Sequence, residues 1–145
     1  ETNPSQPLTA GVWQGSWSDP DALSPMDRLC LNRSDVISFH HYGDLGAFQH
    51  RVEALSRYER PIWCTEWLAR GLGSWFDPHL GWMKTQGVGA YCWGFVAGRT
   101  QTHLPWESWV KPFTEEPNPW HHEILRSDGT PYDAEEVAYI RSLKD

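Results

Sequence analysis

The apolar residues change period several times along the chain, and each change predicts an element. "PLTAGVW", Pro7 to Trp13, reads as a short strand. In "SDPDALSPMDRLCLN" Pro and Asp crowd the start, which predicts a short helix at most. "DVISFHHYG", Asp35 to Gly43, is rich in β-formers, with Val36, Ile37 and Phe39. "LGAFQHRVEALSRYE", Leu45 to Glu59, sets Phe48, Val52 and Leu55 at helical spacing and Arg51, Glu53 and Arg57 on the other face. "PIWCTEW" is the next strand, opened by Pro61, a residue tolerated where a strand begins. "DPHLGWMKTQG" predicts a helix with Pro78 in its first turn and Gly87 just past its end. "VGAYCWGFVAG", Val88 to Gly98, reads as a fourth strand. A loop rich in Pro and Trp follows from about Arg99 to His122. "TPYDAEEVAYIRSLKD" closes the chain as a helix, with acids in its first turn where the helix dipole favours them.

Strands that alternate with helices predict an α/β fold of parallel strands joined by crossover helices. The repeat length narrows this. Trp13 to Tyr42 is 29 residues, Tyr42 to Glu66 is 24, and Glu66 to Trp93 is 27. A (β/α)8 barrel of about 250 residues averages about 31 per unit, so four such units make half a barrel. A four-stranded open α/β sheet competes, but no GxGxxG or GxxxxGK[ST] loop follows any strand.

In both folds parallel strands carry functional residues at their C-terminal ends. Those ends are Trp13, His40-His41-Tyr42, Glu66 and Trp93. Strand residues two apart share a face, so His40 and Tyr42 point one way and His41 the other. The same count puts Cys64 on the face of Glu66 and Cys92 opposite to Trp93, so these two thiols are not expected to pair. Glu66 is the conspicuous residue. A lone acid at the end of an apolar strand is costly unless it is paired, hydrogen-bonded or used. The neighbours His40-His41 and His121-His122 resemble metal ligands but diverge on a strand, and no third ligand falls at a suitable spacing. No metal and no cofactor is expected.

Composition limits the partners. The chain has 145 residues, enough for one domain spanning residues 1–145, and a formal net charge of -7. That charge argues against nucleic acid and against an anionic membrane surface. No apolar run approaches the roughly 20 residues that span a bilayer. "ETNPSQP" lacks the pattern of a signal peptide, and without an initiator Met the chain reads as a processed or excised piece. Its three cysteines make no disulfide framework. The outlier is tryptophan, with 10. Several sit beside Gly, Ser, Asp or Pro, as in "GSWFDP", "LPWESW" and "NPWHH", which suits loop-level aromatic faces for flat ligands such as sugar rings.

Taken together, "SFHHYG", "PIWCTEW" and "AYCWGFVAGRTQTHLPW" resemble the last strands of the glycoside hydrolase clan A barrels. They are most similar to family 5-like bacterial proteins of the cellulase or 1,4-beta-xylanase type, and "WHHEILRSDGTPYDAEEVAYIRSL" resembles the final helical segment of those proteins. The resemblance implies strands five to eight of a TIM barrel and a retaining hydrolase of β-linked plant-type polysaccharides or oligosaccharides. Glu66 would be the nucleophile. The Tyr42 hydroxyl would bond to it, His40 would stand beside it, and Trp93 would floor the sugar subsite. Trp13 would lie nearby, with Trp17 and Gln101 as further substrate contacts on the loops. A polysaccharide substrate leans the expected location outward, to a secreted or periplasmic protein.

The chain departs from that pattern in one respect. Clan A enzymes hold their acid/base in an Asn-Glu pair at the end of strand four, and no Asn-Glu pair occurs here. The expectation is therefore a C-terminal half barrel with its acid/base half upstream, inactive in isolation, its open edges and apolar inner face prone to association. Asp19, Asp44 and Glu107 are the acids at strand ends that would otherwise serve as the second carboxyl. The alternative from another class is a non-catalytic carbohydrate-binding or interaction domain. A pocket that joins Glu66, Tyr42, His40 and Trp93 separates the two, because a binding surface needs no recessed nucleophile.

Overall fold

A computed structural model describes residues 4–144; Glu1 to Asn3 and Asp145, which open the polar leader and end the closing helix of the sequence reading, lie outside the described residues. Helix α1 (Pro25–Arg33) runs nine residues, longer than its Pro- and Asp-rich start suggests. Ser24 caps it by accepting from the Asp27 N–H, and Pro25 occupies a first-turn position whose N–H would go unpaired in any case. Helix α2 (Leu45–Ser56) begins at Asp44, whose carboxylate accepts from the Ala47 N–H, and buries Phe48, Val52 and Leu55 as their spacing predicts. Helix α3 (Phe76–Gln86) ends at Gly87, whose φ of 67° lets its N–H turn back onto the Lys84 and Met83 carbonyls. Helix α4 (Ala134–Ser142) starts at Asp133, whose carboxylate takes the N–H groups of Glu135 and Glu136.

Between the helices lie β1 (Ile37–His40), β2 (Ile62–Glu66) and β3 (Gly89–Ala90), parallel and ordered β1-β2-β3. The chain is thus α/β around a small three-stranded parallel sheet. Two expected strands are cut short. Pro7 to Trp13 forms a single parallel bridge, Val12 to Phe39, rather than a strand. Its backbone is used by the loop before β1 instead. The Leu8 carbonyl accepts from the Asp35 and Val36 N–H groups, the Leu8 N–H donates to the Asp35 carboxylate, and the Ala10 N–H donates to the Ser34 hydroxyl. Val88 to Gly98 is regular only at β3. The N–H groups of Tyr91 and Trp93 still reach the Cys64 and Trp67 carbonyls at 2.9 and 2.8 Å, and Gly94, at φ 85°, then turns the chain away.

One face of the sheet is core. Ile37, Phe39, Ile62 and Cys64 are buried with Phe48, Leu55 and Met83, and the Phe39 ring meets those of Trp17 and Phe48 at 6.0 and 5.5 Å. The other face is covered at Ser38 of β1 by Thr9 but open beyond it: Trp63 and Tyr91, with rings 6.0 Å apart, are 40% and 55% exposed. Cys30, Cys64 and Cys92 are free thiols. Among the described residues no helix is long and apolar enough to cross a membrane.

The segment 120–123 is held by Arg70, which is buried. Its guanidinium donates to the carbonyls of Trp120, His122 and Glu123 and forms two bonds to the Glu136 carboxylate on α4. A cation inside the protein is tolerable because every side of it meets an acceptor. This clamp fixes the loop that flanks the sheet's C-terminal edge.

Candidate active site

The position of Glu66 follows from a slip in strand register. Phe39 is opposite Cys64, yet the next residue of β1, His40, is opposite Glu66, so Thr65 is left over as a bulge. A bulge inverts the alternation of faces beyond it. Cys64 therefore stays in the core while Glu66 turns to the side of His40, which corrects the expectation that Cys64 and Glu66 share a face. The Cys64 thiol donates to the Glu66 carbonyl from beneath, and the His41 N–H donates to the same carbonyl at 3.0 Å, holding the end of the strand.

On the open side, the Tyr42 hydroxyl donates to Glu66 Oε2 at 2.6 Å, and His40 Nδ1 lies 3.2 Å from the same oxygen. Among the described residues no hydrogen bond reaches Oε1, and the side chain keeps 24% of its surface exposed. Burial, followed by the Glu66 carboxylate beside it, pushes the Tyr42 pKa up, so the phenol keeps its proton and remains a donor. His41 points away, onto Phe48.

These groups line a cavity of about 520 Å³ with Trp13, Trp93, Trp106 and Trp109. Trp106 stands edge-on to Tyr42 at 5.2 Å. Its wall is thus aromatic with one carboxylate, the arrangement that seats a sugar ring on its C–H faces against an acid. The structure brings together Glu66, Tyr42, His40, Trp93 and Trp13. Gln101 lines the adjoining hollow instead. Trp17 does not reach the site; it is buried against Phe39 with the Arg51 guanidinium 4.7 Å above its ring. Nor do the other acids supply a second carboxyl here. Asp19 caps the turn at Pro20–Ala22, Asp44 caps α2, Glu107 lies in the turn at Trp106–Trp109, and none lines the cavity. Trp106 and Trp109, the two tryptophans of "LPWESW", were legible in the sequence as loop-level aromatics but not as members of this site. Among the described residues no cluster of three or more His, Cys, Asp or Glu is placed to hold a metal ion.

The family model described as glycosyl hydrolase catalytic core matches residues 13–101, more than half of the chain. The chain belongs to the glycosyl hydrolase catalytic core family. The matched span of this glycosyl hydrolase core holds Trp13, His40, Tyr42, Glu66 and Trp93; Trp106 and Trp109 fall outside it. Comparison with curated proteins and with solved structures returned no match.

Two histidines near the site predict how stability follows pH. His122, behind Tyr42 with rings 5.5 Å apart, and His41 are each lowered by burial from 6.5 to about 4. Unfolding at a pH between these values takes up a proton on each ring. Stability is therefore whole above about 6.5 and falls as pH drops toward about 4. Urea unfolding at pH 5.5 should show a loss of about 1 kcal/mol per ring relative to pH 7.5. A flat profile over that range would mean that these rings are charged in the folded state.

Proposed function

We propose that this chain carries the nucleophile of a retaining O-glycoside hydrolase that acts on a β-linked plant-type polysaccharide or oligosaccharide, in a clan A, family 5-like barrel. One observation carries the reading: the Tyr42 hydroxyl and the His40 ring converge on a single oxygen of Glu66, leaving the other oxygen bare toward an aromatic cavity. The hydrogen bond from Tyr42 and the contact with His40 hold Oε2, and Oε1 is the oxygen that attacks. Oε1 bonds to the anomeric carbon, the glycosidic C–O bond breaks, and the leaving oxygen takes a proton from a second carboxyl group. Water then attacks the glycosyl ester and gives its proton to that same second group, which releases Glu66 as a carboxylate.

Glu66 is the one carboxylate lining its cavity among the described residues. In this reading the acid/base, about 5–5.5 Å from Glu66, comes from the preceding half of the barrel. The open sheet face bearing Trp63 and Tyr91 supports such a packing partner, since exposed aromatic pairs of this kind mark surfaces that are normally covered. Without that half the chain lacks leaving-group protonation, a contribution of about 10²–10⁴-fold, and turns over ordinary glycosides poorly.

A 2-deoxy-2-fluoroglycosyl fluoride tests the nucleophile without the acid. Fluoride leaves unprotonated, and the fluorine at C2 slows hydrolysis of the ester, so the adduct accumulates. The glucosyl, xylosyl and mannosyl β-fluorides form the panel. The expected result is one fluoroglycosyl mass added to the peptide that holds Glu66. Label on another residue, or none with any of the three, would remove Glu66 from the role and leave the carbohydrate-binding alternative.

A further inference from the structure

Tyr42 lies past the end of β1, beyond the last paired residue of the strand. Its hydroxyl nevertheless arrives 2.6 Å from Glu66 Oε2. The packing around the ring is what aims it. Trp106 stands edge-on to Tyr42 at 5.2 Å, and His122 lies at 5.5 Å with its plane tilted by 55°. Those two rings are themselves 6.1 Å apart, so the three close a triangle. Trp106 is its exposed corner, whereas His122, the inner corner, is 1% exposed. His122 forms no part of the Glu66 cavity wall, so a substrate seated in that cavity does not touch it.

The inner corner is fastened to the backbone that carries Glu66. A carbonyl only accepts, so His122 Nδ1 holds the ring proton and donates it to the carbonyl of Leu68, which follows Glu66 and Trp67 in the chain. Leu68 is buried and sits at φ 80°, a left-handed conformation that is an outlier for a bulky residue. Such a conformation persists where the surroundings over-determine it. Here the Ser74 hydroxyl accepts from the Leu68 N–H at 3.3 Å, and the Trp67 carbonyl accepts from the Trp93 N–H at 2.8 Å. The chain thus delivers the Leu68 carbonyl to His122, while Arg70 holds the His122 backbone through its own carbonyl. The other ring nitrogen, Nε2, is buried without a hydrogen-bond partner among the described residues. Burial lowers the ring's pKa to about 4, which keeps it neutral near pH 7. What His122 presents to Tyr42 is a flat, uncharged ring fixed relative to Glu66.

We propose that His122 is a positioning residue for the Glu66 reaction: its ring is the wall that sets where the Tyr42 hydroxyl falls, and its bond to Leu68 ties that wall to the backbone bearing the nucleophile. The proposal rests on the reading of Glu66 as the nucleophile, and in it His122 affects the rate only through Tyr42. Tyr42 and Glu66 lie within the span matched by the glycosyl hydrolase core, and His122 lies outside it. Without the wall the Tyr42 ring leaves Oε2 for part of the time, and Oε1 is then less often aimed at the anomeric carbon. The loss falls on the bond-forming step rather than on sugar binding, because His122 touches no sugar in the cavity. The ring and the hydrogen bond are separable. His122→Asn keeps a donor where Nδ1 stands and deletes the ring face. His122→Phe keeps the ring face and deletes the donor, leaving the Leu68 carbonyl unpaired, and it forfeits nothing at Nε2.

The test is the rate at which the reactive member of the 2-deoxy-2-fluoroglycosyl β-fluoride panel labels Glu66. His122→Asn should lower the maximal rate about tenfold, with the half-saturating concentration little changed. In a Tyr42→Phe background the same substitution should add less than about twofold, since the group it positions is gone. His122→Phe should stay within about threefold of the parent rate even though its urea midpoint falls with the unpaired carbonyl. A merely structural ring would slow both variants in step with their lost stability. Equal slowing by the two variants, a loss that survives Tyr42→Phe in full, or an unchanged rate in His122→Asn would overturn the proposal. If His122→Phe does not fold, the cycle with Tyr42→Phe decides alone. A native chain that takes no label on Glu66 removes the nucleophile and this role together; a labelled Glu66 with a flat response at His122 removes this role and keeps the nucleophile.

Discussion

Glu66→Gln in the native protein should lower the turnover of an aryl β-glycoside with a good leaving group by on the order of 10⁴-fold, with little change in KM. The substitution is nearly isosteric, and the Tyr42 hydroxyl, 2.6 Å from Oε2 in the parent, can still donate to the amide oxygen, so the cavity keeps its shape. What is lost is the anionic oxygen that forms the glycosyl ester. An aryl leaving group needs little protonation, so formation of the glycosyl ester, read as the release of phenolate in the first turnover, depends little on the acid/base and reports Glu66 itself. Tyr42→Phe should cost far less, about 10–100-fold, because it removes one positioning hydrogen bond and leaves the carboxylate. Initial rates with 4-nitrophenyl β-glycosides give both numbers. If Glu66→Gln retained more than about a tenth of the parent rate, the attacking group would lie elsewhere and the convergence on Oε2 would be structural.

Much of this site was legible because it depends on local rules. Phe48, Val52 and Leu55 announce α2 by their spacing, Gly87 announces the end of α3, and parallel strands bring their C-terminal ends to one edge. His40, Tyr42, Glu66 and Trp93 could therefore be grouped from the chain alone. The bulge at Thr65 could not. Counting by twos assumes an unbroken ladder, and the slip that turns Glu66 toward His40 arises from pairing with β1, some 26 positions away. Trp17 failed for a related reason. Its Gly- and Ser-rich surroundings suggested a loop aromatic, but Phe39 and Arg51 enclose it from distant parts of the chain. The placement of His122 and Glu123 was invisible because no local pattern shows that Arg70, some 50 positions earlier, folds their segment against the sheet edge.

That dependence makes Arg70 the position where a single substitution should most damage the fold. Arg70→Met keeps the length and the apolar stem but strips five hydrogen bonds, three to carbonyls of the 120–123 segment and two to Glu136. The Glu136 carboxylate, only 12% exposed, is then left without its cation. Breaking a buried pair from one side costs about 3–5 kcal/mol, because the remaining charge and acceptors stay dehydrated. Arg70→Lys should recover little of this, since an ammonium group cannot span three carbonyls and a carboxylate as the planar fork does. The pair Arg70→Met with Glu136→Gln should be more stable than Arg70→Met alone, as the stranded charge is gone. Urea midpoints of the three variants decide the matter. A loss below about 1 kcal/mol for Arg70→Met would mean that the Trp120 and Tyr132 rings, stacked 4.5 Å apart, hold the segment without the clamp. With the expected loss, one residue links α4 to the 120–123 segment, whose His122 packs behind Tyr42, so the cation that stabilises the fold also backs the Glu66 cavity.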